Sequence, residues 1–183
     1  MLRNWYAVYT KSRREKKVSS ILAKRGIESY CPVNYIFEEN PGGKKGFFEP
    51  LFASFVFVNI SDPQMATVKN IPGVINLVYW KSKPAVISSA EIDAVKQITE
   101  GYMNIKLERA AIGSAEGVLI VDEPVFSYNE NSVRVKYHTL KVVLPSLGYM
   151  LVAEKERVRQ GAMEPVFEQF SLLPKRLAAL FTN

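Results

Sequence analysis

Apolar residues switch between two periods along this chain, and the switches mark its elements. Residues 5–10 (Trp-Tyr-Ala-Val-Tyr-Thr) are aromatic and β-branched and predict a strand. Period-two alternation puts Trp5, Ala7 and Tyr9 on one face of it. Val18, Ile21, Leu22 and Arg25 then fall at helical spacing and Gly26 follows, predicting a helix over 13–25. Residues 27–37 read as a second strand with Pro32 at an edge or bend. Residues 38–46 (EENPGGKKG) read as a polar hairpin tip. Within 47–60, the run 51–58 reads as a strongly apolar strand, with Phe55 and Phe57 on one face and Phe52 opposite. Asp62-Pro63 opens a short helix carrying Met65 and Val68, with Asp62 as N-cap. Residues 74–79 predict another strand. Ser88-x-x-Glu91 is a capping box, opening a helix with Ile92, Val95 and Ile98 on one face.

This order, β-α-β-β-α-β followed by a helix, predicts an α+β fold of the ferredoxin-like plan, with helices on one side of an antiparallel sheet. The sheet's other face then needs cover from a partner, a further segment or polar residues. Residues 102–116 lack a clear period. Beyond them, 118–121, 132–143 and 149–153 predict short strands with turns near 129–131 and 145–148, which suits a small β-barrel. Phe167, Phe170, Leu173, Leu177 and Leu180 recur at helical intervals in the tail. The expected layout is a domain over 1–102, a linker over 103–116, a barrel over 117–162 and an amphipathic C-terminal helix over 163–183.

Charge adds a direction. The 183-residue chain carries a net charge of +6, and residues 1–104 hold fourteen Lys/Arg against nine Asp/Glu. Five of those cations and one acid lie in Lys11–Lys17, directly after the first strand. Acids are the favoured residues at a helix start, where the macrodipole is positive. The run therefore points to an anionic partner such as nucleic acid, with a solvated helix face as the plain alternative. No apolar run is long enough to span a membrane, and the first residues lack the apolar core of a secretion signal. A cytoplasmic protein without membrane contact is expected. The single cysteine, Cys31, rules out an internal disulfide and a cysteine-rich metal site.

Four motifs carry a family likeness. Residues 5–9 with the basic helix resemble the first strand and helix of the NusG N-terminal domain. Pro50–Val58 (PLFASFVFV) resembles that family's Pro-Leu-Phe-Pro-Gly-Tyr-Val-Phe-Val strand, with Ala53-Ser54 in place of Pro-Gly. Residues 71–74 (IPGV) and 83–88 (KPAVIS) resemble the segments that follow the second helix and lead into the last one. The resemblance implies an SH3-like barrel of the KOW type for the second half, here degenerate: 121–126 (VDEPVF) lacks the glycine of the usual Gly-Pro-Phe turn. Residues 144–152 resemble the specialised capsule-operon branch, the UpxY-like antiterminators.

What the resemblance implies is a bacterial transcription elongation factor that binds RNA polymerase and suppresses pausing or termination, on one or a few operons. An RNA-binding or ribosome-associated module is the alternative. A pocket of Trp5, Tyr9, Phe52 and Phe55 would take the tip of the polymerase clamp, with core packing as the plain reading of each ring. Lys11, Arg13, Arg14 and Lys17 would face DNA near the transcription bubble. Thr67, Lys69 and Asn70 would give a secondary polymerase contact across the cleft. A ribosomal protein is the candidate partner of the barrel, which is expected to be a barrel from the start, without autoinhibition. A monomer is expected. His138 has no second histidine or cysteine near it, and 42–46 (GGKKG) lacks phosphate-loop spacing. An enzyme, a metal and a cofactor are therefore not expected.

Overall fold

Alternation along the strand Asn4–Thr10, here β1, decides how the first half of the molecule is layered. Tyr6 and Val8 enter one apolar core, and Trp5 and Ala7 enter the other. The computed structural model describes residues 2–41, 43–111, 117–129 and 132–154. After β1 come α1 (Glu15–Lys24), β2 (Glu28–Tyr30), β3 (Val33–Asn40), β4 (Gly43–Pro50) and β5 (Phe55–Ile60). Next are α2 (Gln64–Lys69), β6 (Val74–Leu77), β7 (Tyr79–Trp80), β8 (Lys83–Pro84), β9 (Val86–Ile87) and α3 (Ser89–Gly101). The chain continues with β10 (Lys106–Arg109), β11 (Leu119–Asn129), β12 (Ser132–Leu144) and β13 (Tyr149–Glu154). The expected tail over 163–183 lies outside the described residues.

The first sheet runs β2-β5-β1-β6, and β9 also pairs with β1. All these pairings are antiparallel, with β1 and β5 in register from Asn4↔Ile60 to Tyr9↔Phe55. On one face, Val18 and Leu22 of α1 and Val68 of α2 pack on Tyr6, Val8, Val56, Val58 and Ile60. On the other, Ile92, Val95 and Ile98 of α3 share a core with Trp5, Ala7 and Phe57. The helices therefore do not all lie on one side. The capping box places α3 firmly: the Glu91 N–H donates to Ser88 Oγ (3.2 Å), and the Ser88 N–H donates to Glu91 Oε2 (3.1 Å).

Several boundaries differ from the sequence reading, each for a local reason. α1 begins at Glu15, because Arg13 has a left-handed backbone (φ +61°) that a helix cannot continue. Glu15 is buried, and its Oε1 accepts a 2.7 Å hydrogen bond from the Ser54 N–H. The one acid of the basic run thus sits at the positive end of α1 and ties it to the loop ahead of β5. That loop, 51–54, replaces the front half of the expected strand 51–58. Ser54 is left-handed (φ +65°), and its carbonyl accepts the Thr10 N–H at 2.8 Å.

The expected hairpin tip over 38–46 is mostly strand. β3 and β4 pair from Val33↔Pro50 to Asn40↔Gly43, setting Glu38 opposite Lys45. Opposite charges across a ladder favour pairing, which period alone did not reveal. At α2, Ser61 rather than Asp62 supports the start, its N–H and Oγ both donating to Gln64 Oε1 at 3.1 and 3.2 Å.

The second sheet is antiparallel in the order β10-β13-β12-β11. Part of the expected linker, 106–109, is its edge strand β10, paired with β13 from Lys106↔Val152 to Arg109↔Tyr149. Among the described residues, β10 and β11 do not pair with each other, so the sheet is an open β11-β12-β13 meander with β10 added beside β13. Leu140, Val142 and Leu144 of β12 and Leu151 and Ala153 of β13 point into the same core as α3. The second sheet and α3 together provide the cover that the sheet's other face required. Each fully buried Leu or Val here contributes about 1.5–3 kcal/mol relative to an exposed one.

One buried amide ties this region to the first half. Asn34 is buried, with Nδ2 donating to the Ile105 carbonyl (2.9 Å) and Oδ1 accepting the Ile105 N–H (3.1 Å). The amide thereby copies a strand partner and pins 104–105 to β3.

Three outcomes are expected. Asn34→Ala strands the Ile105 N–H and carbonyl and should lower unfolding free energy by about 2 kcal/mol, read from the urea midpoint. Ser54→Gly relieves a left-handed backbone and should raise that free energy by about 1 kcal/mol in the same assay. The Cys31 thiol is pushed up to about 11, by burial first and the nearby Glu15 charge second, against an opposing pull from Lys16. The folded state thus favours the neutral thiol, a preference intact below the ordinary thiol range and lost as pH rises through that raised value. Alkylation by iodoacetamide should be slow near neutral pH and climb about tenfold per pH unit until the thiolate dominates.

Candidate functional site

Where β1 and β5 run out, their α3-side faces open into a cleft of about 210 Å³. Tyr9 and Phe55 are cross-strand partners at its mouth, with ring centroids 4.5 Å apart and planes tilted by 43°. Tyr9 is 43% exposed, so this pair is presented rather than sealed in the core. Phe52 forms the floor. It is buried and meets Phe57 edge-on, with centroids 5.3 Å apart. Strand parity had placed Phe52 opposite Phe55 and Phe57. It lies on their side because it belongs to the 51–54 loop, where alternation does not apply.

Of the four expected pocket residues, the structure brings together Tyr9, Phe52 and Phe55. Trp5 is not among the lining residues. It is buried beneath the Lys96 ammonium, 5.6 Å from its ring, and pairs with Ile87. Core packing is its role.

Other residues complete the cleft. Val78, Tyr79, Trp80, Ala85 and Ile87 come from the segment between β6 and α3, and Arg109, Ser146, Leu147 and Tyr149 come from the second sheet. Tyr149 meets Phe52 edge-on at 5.7 Å, and the Arg109 guanidinium lies over the Tyr149 ring at 4.6 Å. The Ser146 N–H donates to Glu91 Oε1 at 2.8 Å. The turn before β13 therefore closes one side of the cleft. Sequence reasoning missed Tyr79 and Trp80, although an aromatic pair followed by cations is the pattern that drew attention to residues 5–17. It had no means of finding Tyr149, which reaches the cleft only through packing between the two sheets.

Lys11, Arg13, Arg14 and Lys17 are all exposed. The basic loop starts two residues after Tyr9, and the Lys11 N–H is held by the Gly73 carbonyl at 2.8 Å. Cations thus stand at the cleft's outer end, although α1 itself covers the opposite sheet face. Thr67, Lys69 and Asn70 are exposed at the end of α2. Lys69 Nζ donates to the Tyr79 hydroxyl at 2.8 Å and lies 5.4 Å from that ring's centroid. It therefore joins α2 to the rim of the cleft.

The remaining candidates for chemistry are occupied by local pairs. His138 Nδ1 lies 2.7 Å from Asp122 Oδ1 across β11 and β12, and Lys141 pairs with Glu123. Among the described residues, no group of three His, Cys, Asp or Glu side chains could hold a metal ion. No helix among them is long and apolar enough to cross a membrane.

The sequence profile of a family described as "Transcription termination factor nusG" matches residues 3–96. The transcription termination/antitermination protein NusG of Bacillus subtilis is 29% identical over 160 residues, covering 78% of this chain and 87% of that protein. The protein of the same name from Halalkalibacterium halodurans is 33% identical over 110 residues, covering 52% and 61%. That of Rickettsia felis is 23% identical over 160 residues, covering 80% and 83%. A solved structure described as "Domain interaction in Thermotoga maritima NusG" aligns with a TM-score of 0.42 at 18% identity, covering 87% of this chain and 97% of that one. With more than half of its length matched by the family profile, the chain belongs to the NusG family.

Proposed function

We propose that the aromatic cleft is the surface by which this transcription elongation and antitermination factor grips the tip of the RNA polymerase clamp. The carrying observation is the exposed Tyr9 ring paired with the half-buried Phe55 over the buried Phe52 floor. A helix tip needs a concave apolar seat of this kind, and aromatic anchors in such seats carry most of the binding energy. Lys11 and Arg13, in the loop that follows β1, and Arg14 and Lys17, at the start of α1, then meet DNA near the bubble through its phosphates. Thr67, Lys69 and Asn70 form a second contact across the polymerase cleft, which would disfavour the open, paused state. The factor is regulatory rather than catalytic.

The strand order of the first sheet supports a ferredoxin-like reading. The meander of the second supports a degenerate KOW-type unit, a further reason to place the chain in the specialised UpxY-like branch. A ribosomal protein is a candidate partner for that unit.

The second sheet is built of strands, yet it bears on the cleft. We read Tyr149 standing on Phe52 as a partial cover of the cleft, in place of the expected absence of autoinhibition. In our reading, displacement of the 145–149 turn accompanies clamp binding and sets its affinity.

The test is binding to core RNA polymerase together with transcription over a pause site. Tyr9→Ala with Phe55→Ala should weaken binding at least tenfold and abolish pause suppression, since each anchor is worth about 1–2 kcal/mol. Tyr149→Ala, which removes the obstructing ring, should strengthen binding. Undiminished binding by the double variant would defeat the assignment of the cleft.

A further inference from the structure

We propose that the hairpin β7–β8, with the groove beside it, binds single-stranded nucleic acid, at a site separate from the basic loop at residues 11–17. Trp80 and Tyr79 at this hairpin are 52% and 43% exposed. They pair with Lys83 and Pro84, respectively, across the two strands. The turn between them is Lys81-Ser82, and both residues are left-handed, with φ of +48° and +63°. Such two-residue turns normally use Asn or Gly because other side chains strain the backbone there. Here a lysine occupies the first position in spite of that strain, so the tip keeps an ammonium group beside an exposed indole.

The surroundings share that character. A groove of about 610 Å³ runs along the hairpin, lined by Trp80, Lys81, Lys83 and Ser88 among others. Residues 63–90 contain three lysines and neither Asp nor Glu. The one carboxylate in the groove lining, Glu91, is 1% exposed and has both oxygens engaged by Ser88 and Ser146. The third lysine, Lys69, braces the Tyr79 ring from below through its hydroxyl. A flat exposed ring, flanked by cations and with no exposed acid among the described residues of the groove lining, complements a ligand with planar faces and regularly spaced negative charge. An unpaired base stacks on Trp80, and the phosphates on either side meet Lys81 and Lys83. Duplex bases are stacked on each other and cannot reach the ring, so single strands are preferred.

The test uses the full chain without polymerase, which separates it from the proposal for the cleft. Labelled thymidine and uridine oligonucleotides of about 12 nucleotides, within the usual single-strand site size, are titrated beside a duplex of equal length. Single strands of either sugar should bind more tightly than the duplex and quench tryptophan emission. Trp80→Phe, which leaves the buried Trp5 as the remaining tryptophan, should bind nearly as well while losing the quench. Trp80→Ala should bind about tenfold more weakly. Lys81→Gln with Lys83→Gln, which leaves the ring in place, should reduce the salt slope of binding by about 1.4. Full affinity in Trp80→Ala, a duplex bound as tightly as the single strands, or no binding by any oligonucleotide would each overturn the proposal.

Discussion

Everything in the first half of this molecule rests on the pairing of β1 with β5. The two strands are central in their sheet and apolar on both faces, so each must be covered twice. Tyr6, Val8, Val56 and Val58 demand one layer, and α1 and α2 supply it. Trp5, Ala7 and Phe57 demand another, supplied by α3 with the second sheet. The cleft exists because the second cover stops short. At the end of the ladder, Tyr9 and Phe55 continue the apolar face beyond the reach of α3, leaving Tyr9 exposed and Phe55 half-buried. The proposed binding surface thus lies where burial is incomplete, a place fixed by the lengths of the strands and the helix that covers them.

Much of this was legible in the residues. Alternation along 5–10 and the capping box at Ser88 and Glu91 were read correctly because both are local: one depends on successive side chains, the other on two residues three apart. The later strands were also located, although β11 runs on to Asn129 where a strand ending at 121 was expected. Errors arose where a distant group decides. The 51–58 run looks like one strand, but Ser54 turns left-handed while its N–H reaches Glu15 and its carbonyl takes the Thr10 N–H. Neither partner is near in sequence. The 106–109 segment has no apolar period, yet pairing along β13 makes it a strand.

The site shows the same division. Tyr9, Phe52 and Phe55 could be picked out as cleft-lining rings because aromatic residues close to a basic run invite attention. Trp5 had equal chemical merit, and its burial under Lys96 depends on α3, which follows some ninety residues later. Tyr149 and Arg109 come from the second sheet and enter the cleft through a packing arrangement that no local pattern encodes. Exposed rings at Tyr79 and Trp80 required knowing that the turn at Lys81-Ser82 carries them out of the core.

The carboxylate of Glu91 has a mechanical consequence. One of its oxygens holds the start of α3 and the other holds the backbone of the turn at Ser146, so a single buried side chain serves two joints. Parting the sheets would break the second joint alone. Water could replace the lost donor while the helix kept its own. The helix cap and the link to the second sheet therefore rest on separate oxygens of one carboxylate, so the cap does not depend on the link.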